Sequence, residues 1–191
     1  MVKGLPQPCD GGYAVADNLI KTRSPERLGS LRDELLPYYD GLFGPGSPGF
    51  ERAGARLLTE AQNKFGPGSW IVHIGCGTGH DTLALAKQGV RVWATDWSPK
   101  MVEATVARAE AAKLGHLVTG VVLSPRDLKQ LLGGELTQER LDGAYAPWGA
   151  LNLEEDLPAP FDGLYTLIRP GGLVIAGTLG GRSTFGAAGE A

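Results

Sequence analysis

The stretch from Trp70 to Asp96, WIVHIGCGTGHDTLALAKQGVRVWATD, constrains the fold more than any other part of the chain. An apolar run enters a loop with glycines at 75, 77 and 79. A short alanine-rich helix follows, and a second apolar run ends on the lone carboxylate of Asp96. Two such runs joined through a helix cannot be a hairpin. They read as parallel strands linked by a right-handed crossover. Open parallel sheets bind ligands at the carboxyl ends of their strands, where strand order reverses, and the glycine loop falls at that place.

The rest of the chain continues the rhythm. In all, strands are expected at Ile71–Ile74, Val90–Thr95, Leu117–Leu123, Leu141–Ala146 and Leu173–Ala176. Between the second and third, Ser98 serves as a helix N-cap, Pro99 fits the first turn and Gly115 marks the stop. Before Trp70 the chain reads helical. One helix opens at Ser24-Pro25 and another at Ser47-Pro48, the latter with Phe50, Ala53, Leu57 and Ala61 on one face. Strands alternating with helices define an α/β class: a Rossmann-like parallel sheet sandwiched by helices, with N-terminal lid helices. We read residues 1–191 as one domain, with a helical lid region over 1–66, the core over 67–180 and a tail over 181–191.

Charge and cysteine content narrow the partners. A net charge of −3 speaks against a nucleic-acid or acidic-membrane binder, which needs a basic surface. No apolar run has the length to cross a bilayer. The opening MVKGLPQPCDGGY lacks the apolar core of a secretory signal. A bridge between Cys9 and Cys76 would jam the glycine loop, so both read as free thiols in a reducing cytoplasm. The histidines and cysteines show no metal-ligand spacing.

The loop itself separates ligand classes. A dinucleotide fingerprint wants glycine at the first, third and sixth places. Here the glycines fall at the first, third and fifth, and the sixth is His80. Such a loop still brings bare backbone close to a ligand, but lacks one feature tuned for a pyrophosphate. Asp96 sits where a carboxylate takes two ribose hydroxyls. That role is common to dinucleotide and S-adenosylmethionine sites, so Asp96 alone does not decide.

At these residues the chain resembles the class I S-adenosylmethionine-dependent methyltransferases. The matching segments VHIGCGTGHDTLALA, VWATDWSPKMVEAT, LDGAYAPWGALN and LIRPGGLVIAGT come in the family's order and reach from Trp70 to Thr178. A weaker match, LPYYDGLFG, is similar to the lid of small-molecule members. The resemblance implies a soluble enzyme that transfers the methyl of S-adenosylmethionine to a small-molecule acceptor. It implies that the loop of Gly75, Cys76, Gly77 and Gly79 runs under the methionine part and the ribose. Asp96 then holds the ribose hydroxyls, Trp97 and Met101 pack on the adenine, and Arg126 or Asp127 borders its edge. Ala146 lies near the transferred methyl and Tyr39 closes the lid. Asp81, in the first turn of the helix after the loop, favours the helix dipole and is within reach of the cofactor's amino-acid end. Trp148 and Asn152 either line the acceptor pocket or cap the next helix.

Three departures qualify this. His73 stands two places before the first glycine, where the family has an acid. A neutral imidazole there implies weaker cofactor binding or a rearranged amino-acid end. Pro125 has no N–H to offer the adenine. The family's two further strands after the fifth are missing or shortened, and an uncovered edge strand invites a homodimer. The alternatives are a non-catalytic binder of the same cofactor, or a partner subunit, and a nicotinamide-dependent oxidoreductase.

Overall fold

A computed structural model describes residues 25–48, 50–133, 140–154 and 156–178. Cys9, Ser24 and the tail from 181 lie outside these. Five strands form one sheet in the order β3-β2-β1-β4-β5: β1 Trp70–Ile74, β2 Arg91–Asp96, β3 Val118–Val122, β4 Leu141–Ala146 and β5 Ile168–Ala176. Every pairing is parallel. Strand order reverses between β1 and β4, so the crevice opens at the end of β1, where the glycine loop begins.

A central parallel strand must be covered on both faces, and β1 shows this residue by residue. Ile71 belongs to one apolar cluster, with Leu58, Ala61 and Leu85. Val72 and Ile74 belong to another, with Leu128, Leu164 and Leu167. The first cluster is closed by helices α3 (Ala55–Lys64), α4 (His80–Ala86) and α5 (Pro99–Ala111), the second largely by α6 (Pro158–Leu167) and a 3-10 segment, Pro125–Gly133.

The helix after β2 starts as expected: the Met101 N–H donates to Ser98 Oγ at 3.0 Å, with Pro99 in the first turn. Its end differs from expectation. Lys113, not Gly115, takes the left-handed conformation, with φ of 61°. The Leu114 N–H reaches the Ala109 carbonyl and the Lys113 N–H the Glu110 carbonyl, a Schellman closure complete before Gly115 arrives. Strand β5 also differs, starting at Ile168 rather than Leu173. Leu141 of β4 faces Ile168 and Gly143 faces Leu173, so the RPGG segment read as a turn is an outward bulge inside the strand.

Ahead of the sheet, α1 (Pro25–Leu35) tightens into a 3-10 turn, Leu36–Tyr38, at Pro37, which has no N–H to continue an α-helix, and α2 (Tyr39–Phe43) follows. The second predicted helix opens with a π turn, Phe50–Gly54, before α3. Ser47 Oγ accepts the Phe50 N–H. Phe50 and Ala61 are buried, and Ala53 and Leu57 half-buried.

Candidate functional site

The loop from Gly75 to Gly79 is fixed by β2. The Gly75 and Cys76 N–H groups donate to the Thr95 carbonyl at 2.8 and 2.9 Å, and the Gly77 N–H donates to Asp96 Oδ2 at 3.0 Å. All three glycines have positive φ. All three are also closely enclosed. A Cβ on Gly75 would lie 2.8 Å from the Ala150 methyl, one on Gly77 2.5 Å from the Tyr39 ring, and one on Gly79 2.8 Å from Thr105 Oγ1. Bare backbone here is therefore demanded twice, by conformation and by space.

Asp96 is 2% exposed at the end of β2. Its Oδ1 accepts the Ser98 N–H at 3.1 Å, and Oδ2 accepts both the Gly77 N–H and Arg32 Nη2, the latter at 2.9 Å. Oδ2 is filled, and Oδ1 keeps one lone pair. Burial works against the Arg32 charge, but Asp96 beside it prevails and raises its pKa. Arg32 Nη2 also donates to the Tyr39 hydroxyl at 3.2 Å. Burial pushes that hydroxyl up to about 12. Arg32 was not singled out from the sequence. Its contact with Asp96 spans two distant segments, and no local pattern announces it.

The crevice has two lobes that meet at Gly75. One is lined by Tyr39, His73, Cys76, His80, Asp81 and Trp148 among others. The second is lined by Arg32, Asp96, Trp97, Leu123, Pro125, Ala150 and Leu153. The structure thus gathers Tyr39, His73, Gly75, Cys76, Asp81, Asp96 and Trp97 around one crevice. The Trp97 indole N–H is buried without a partner. Met101 is fully buried, its N–H on the Ser98 cap. Arg126 does not line either lobe. Its guanidinium is paired with the buried Glu154 at 2.8 Å, and Ser124 holds the other oxygen of that carboxylate. Asp127 lies in an adjoining hollow beside Trp97 and Leu123. Ala146 is buried at the end of β4, its carbonyl accepting the Gly177 N–H.

In the first lobe His73 is 1% exposed. Its Nδ1 lies 2.8 Å from Thr82 Oγ1, and Nε2 has no partner. Burial lowers its pKa to about 3, so the imidazole is neutral. Asp81 is 5% exposed and accepts the Tyr145 hydroxyl on Oδ2 at 2.8 Å. Burial raises its pKa. Asp40 is held low by the hydrogen bond from Arg108, with Thr78 donating to the same carboxylate. Burial pushes the Cys76 thiol well up, which leaves it a poor nucleophile.

The lobe's outer wall is aromatic. Trp148 has φ of 61°, an uncommon conformation for a bulky side chain. Its ring sits 6.0 Å from Phe43 and 6.3 Å from Phe50, and Phe50 meets His80 edge-on at 5.2 Å. Gly54 admits the indole, since a Cβ there would overlap it. The sequence marked Trp148 but not its wall partners Phe43 and Phe50, because the wall is assembled from separate elements. Among the described residues no group of three or more His, Cys, Asp or Glu side chains could hold a metal. No helix among them is long and apolar enough to cross a membrane.

A glycine-pinned crevice at the switch point of a five-stranded parallel sheet, with a carboxylate on the neighbouring strand, matches a known family model. Residues 71–172 match the methyltransferase-domain family, and the chain belongs to it. It is 30% identical over 126 residues to malonyl-[acyl-carrier protein] O-methyltransferase of Serratia marcescens, covering 66% of this chain and 44% of that one. It is equally 30% identical over 124 residues to the S-adenosyl-L-methionine-dependent Diels-Alderase iliD of a Neonectria species, covering 65% and 43%. Among solved structures the [4+2]-cyclase SpnF shares the fold, with a TM-score of 0.63, 18% identity and coverage of 79% and 58%. The chain spans less than half the length of the two curated relatives.

Proposed function

We propose that the chain binds S-adenosylmethionine across the ends of β1 and β2 and transfers its methyl group to a small-molecule acceptor. The observation that carries this is the Asp96 carboxylate clamped to the Gly77 N–H. The pair ties a sugar-binding acid to a backbone cradle that no Cβ can enter. The bound cofactor supplies an electrophilic methyl on a sulfonium.

This chain's residues do the rest. Asp96 takes the ribose hydroxyls on the free lone pair of Oδ1, and on Oδ2 when Arg32 swings away. Trp97, Leu123, Pro125 and Leu153 wall a slot for a flat base, with the unpartnered indole N–H at its side. Met101 is buried in the first turn of α5, Asp127 stands in the hollow beside Trp97 and Leu123, and Arg126 is held by Glu154 outside both lobes. Gly75, Cys76, Gly77 and Gly79 carry the chain beneath the sugar and the methionine part. Ala146 lies behind the reacting centre, and Tyr39 closes over the loop. Catalysis is then chiefly alignment and exclusion of water, the work suited to the aromatic wall of Phe43, Phe50 and Trp148. That wall favours a small, neutral organic acceptor, and no lysine or arginine is among the residues that line the lobe. The buried free thiol of Cys76 supports a reducing, cytoplasmic setting. The outer side of β5 supports pairing of two copies.

Calorimetry with S-adenosylhomocysteine tests the site. Asp96→Ala should weaken binding by about 1–3 kcal/mol, the scale of lost charge-assisted hydrogen bonds. Unchanged affinity removes the ribose assignment, and tighter binding of NADH would favour an oxidoreductase. Labelled S-adenosylmethionine offered with a panel of small acceptors tests transfer. A second reading, a cofactor-binding protein without methyl transfer, is favoured by the likeness to a relative named a Diels-Alderase. Binding without demethylated product across the panel would support it.

A further inference from the structure

A neutral hydroxyl that accepts a methyl group must lose its proton in the same reaction. No lysine or arginine lines the methionine-side lobe to ionise it beforehand. A base must therefore come from the lobe's own titratable groups, and most of these are committed. Asp40 is ion-paired with Arg108, whose hydrogen bonds hold its carboxyl low. His73 is bonded to Thr82, and burial lowers its pKa to about 3. The Tyr39 hydroxyl accepts from Arg32 and is pushed up by burial to about 12. The Cys76 thiol is pushed up as well, so both keep their protons. Asp81 is buried, with Oδ2 taken by the Tyr145 hydroxyl. His80 remains. Its side chain is 37% exposed, and its ring stands edge-on to Phe50 of the aromatic wall at 5.2 Å. Its Nε2 faces Asp81 Oδ1 at 4.0 Å, a separation that catalytic contacts shorten once the site is filled. With the ring proton on that side, Nδ1 holds the lone pair.

We propose that His80 is the catalytic base for a planar phenolic or enolic hydroxyl seated on the aromatic wall, with Asp81 behind it as a positioning residue. This rests on the cofactor reading. The acceptor's O–H bond breaks as its oxygen takes the methyl. The proton passes to Nδ1, and the electrons of the broken C–S bond stay on sulfur. The products are a methyl ether, the demethylated thioether and an imidazolium. Asp81 Oδ1 offsets the new charge, as a carboxylate does behind the histidine of a catalytic triad. The exposed ring then gives the proton to water. A flat conjugated ring suits the faces of Phe43, Phe50 and Trp148. Its hydroxyl also ionises near enough to the range of histidine for the transfer to proceed, whereas an aliphatic alcohol holds its proton too tightly.

The test offers labelled S-adenosylmethionine with three probes: phenol, benzoate, and 4-nitrophenol, which is already anionic in mildly alkaline buffer. In His80→Gln, phenol methylation should fall by about 10²–10⁴-fold, the range of a lost general base, while 4-nitrophenol stays within about threefold. Asp81→Asn should show the same split at about tenfold, the scale of one charge-assisted contact. The wild-type phenol rate should rise with pH and then level off. In His80→Gln it should climb with the ionisation of phenol itself. Asp40, Asp81 and Arg108, the charged groups around the ring, are all present in that variant and cannot carry the difference. Calorimetry should find S-adenosylhomocysteine binding to His80→Gln within about twofold of wild type, which places the loss in the chemical step. Equal loss with phenol and 4-nitrophenol, loss with neither, or transfer to benzoate alone overturns the base and leaves the cofactor reading intact. So does wild-type protein that binds S-adenosylhomocysteine but methylates none of the three. Wild-type protein that does not bind it overturns both.

Discussion

His73 shows what a single side chain can impose. Its ring is enclosed by the sheet and α4, bonded to Thr82 and packed 5.0 Å from the Tyr145 ring. In the unfolded chain a histidine takes a proton below about pH 6.5. In the folded protein burial delays this to about 3. Between those values the unfolded state binds more protons, so stability is fully present above the upper value and is lost as pH falls toward the lower one. Urea unfolding between pH 7 and 4 should show this slope, approaching about 1.4 kcal/mol per pH unit from this residue. Asp81, raised by burial, works in the opposite sense, gaining stability as it protonates. His73→Gln should flatten the curve, and a slope unchanged by that variant would show that His73 is not the group responsible. The departure at position 73 was legible in the sequence. That Asp81 and Tyr145 would meet beside it was not, because β4 and α4 come together only through the sheet.

At the scale of elements, legibility divides along the same line. The loop, its helix and Asp96 were readable because strand, glycines and carboxylate are consecutive. The Ser98 cap was readable because it acts three residues away. The helix stop was misread because a lysine made the Schellman turn. The start of β5 was misread because Pro170 and Gly171 look like punctuation when they form a bulge. The lid was readable only as helical. Its docking rests on Arg32 and Tyr39, which cross to Asp96 and Gly77, and on Gly29, where a Cβ would lie 2.9 Å from the Trp97 carbonyl. Arg32→Ala removes the partner of a buried carboxylate while two backbone donors remain, so stability should fall by about 1–3 kcal/mol in urea unfolding. The same variant frees the Oδ2 lone pair. It should therefore bind S-adenosylhomocysteine at least as tightly as wild type by calorimetry. Weaker binding would mean that Arg32 belongs to the closed site rather than competing for Asp96.

Across the whole molecule the sheet has two open edges. β1, β2 and β4 each have two strand neighbours, whereas the outer sides of β3 and β5 have none among the described residues. The β5 edge is the one with a cluster of exposed apolar side chains beside it: Leu173 and Val174 are each 45% exposed, and Phe161 and Tyr165 of α6 are more exposed still. Unpaired backbone groups beside apolar side chains favour addition of another strand. The first half of β5 is poorly suited to this, since Pro170 offers no N–H and the bulge at Arg169–Gly172 breaks the ladder. Pairing of two copies would therefore centre on Leu173–Ala176, a run short enough that the association should be weak and concentration-dependent. Sedimentation of the 191-residue chain should show a monomer converting to a dimer as concentration rises. Val174→Lys places a charge on this edge, the device by which exposed strands resist pairing, and should shift the equilibrium to monomer without weakening S-adenosylhomocysteine binding. A chain that stays monomeric at the highest attainable concentration removes the homodimer. A dimer indifferent to Val174→Lys moves the contact to another face.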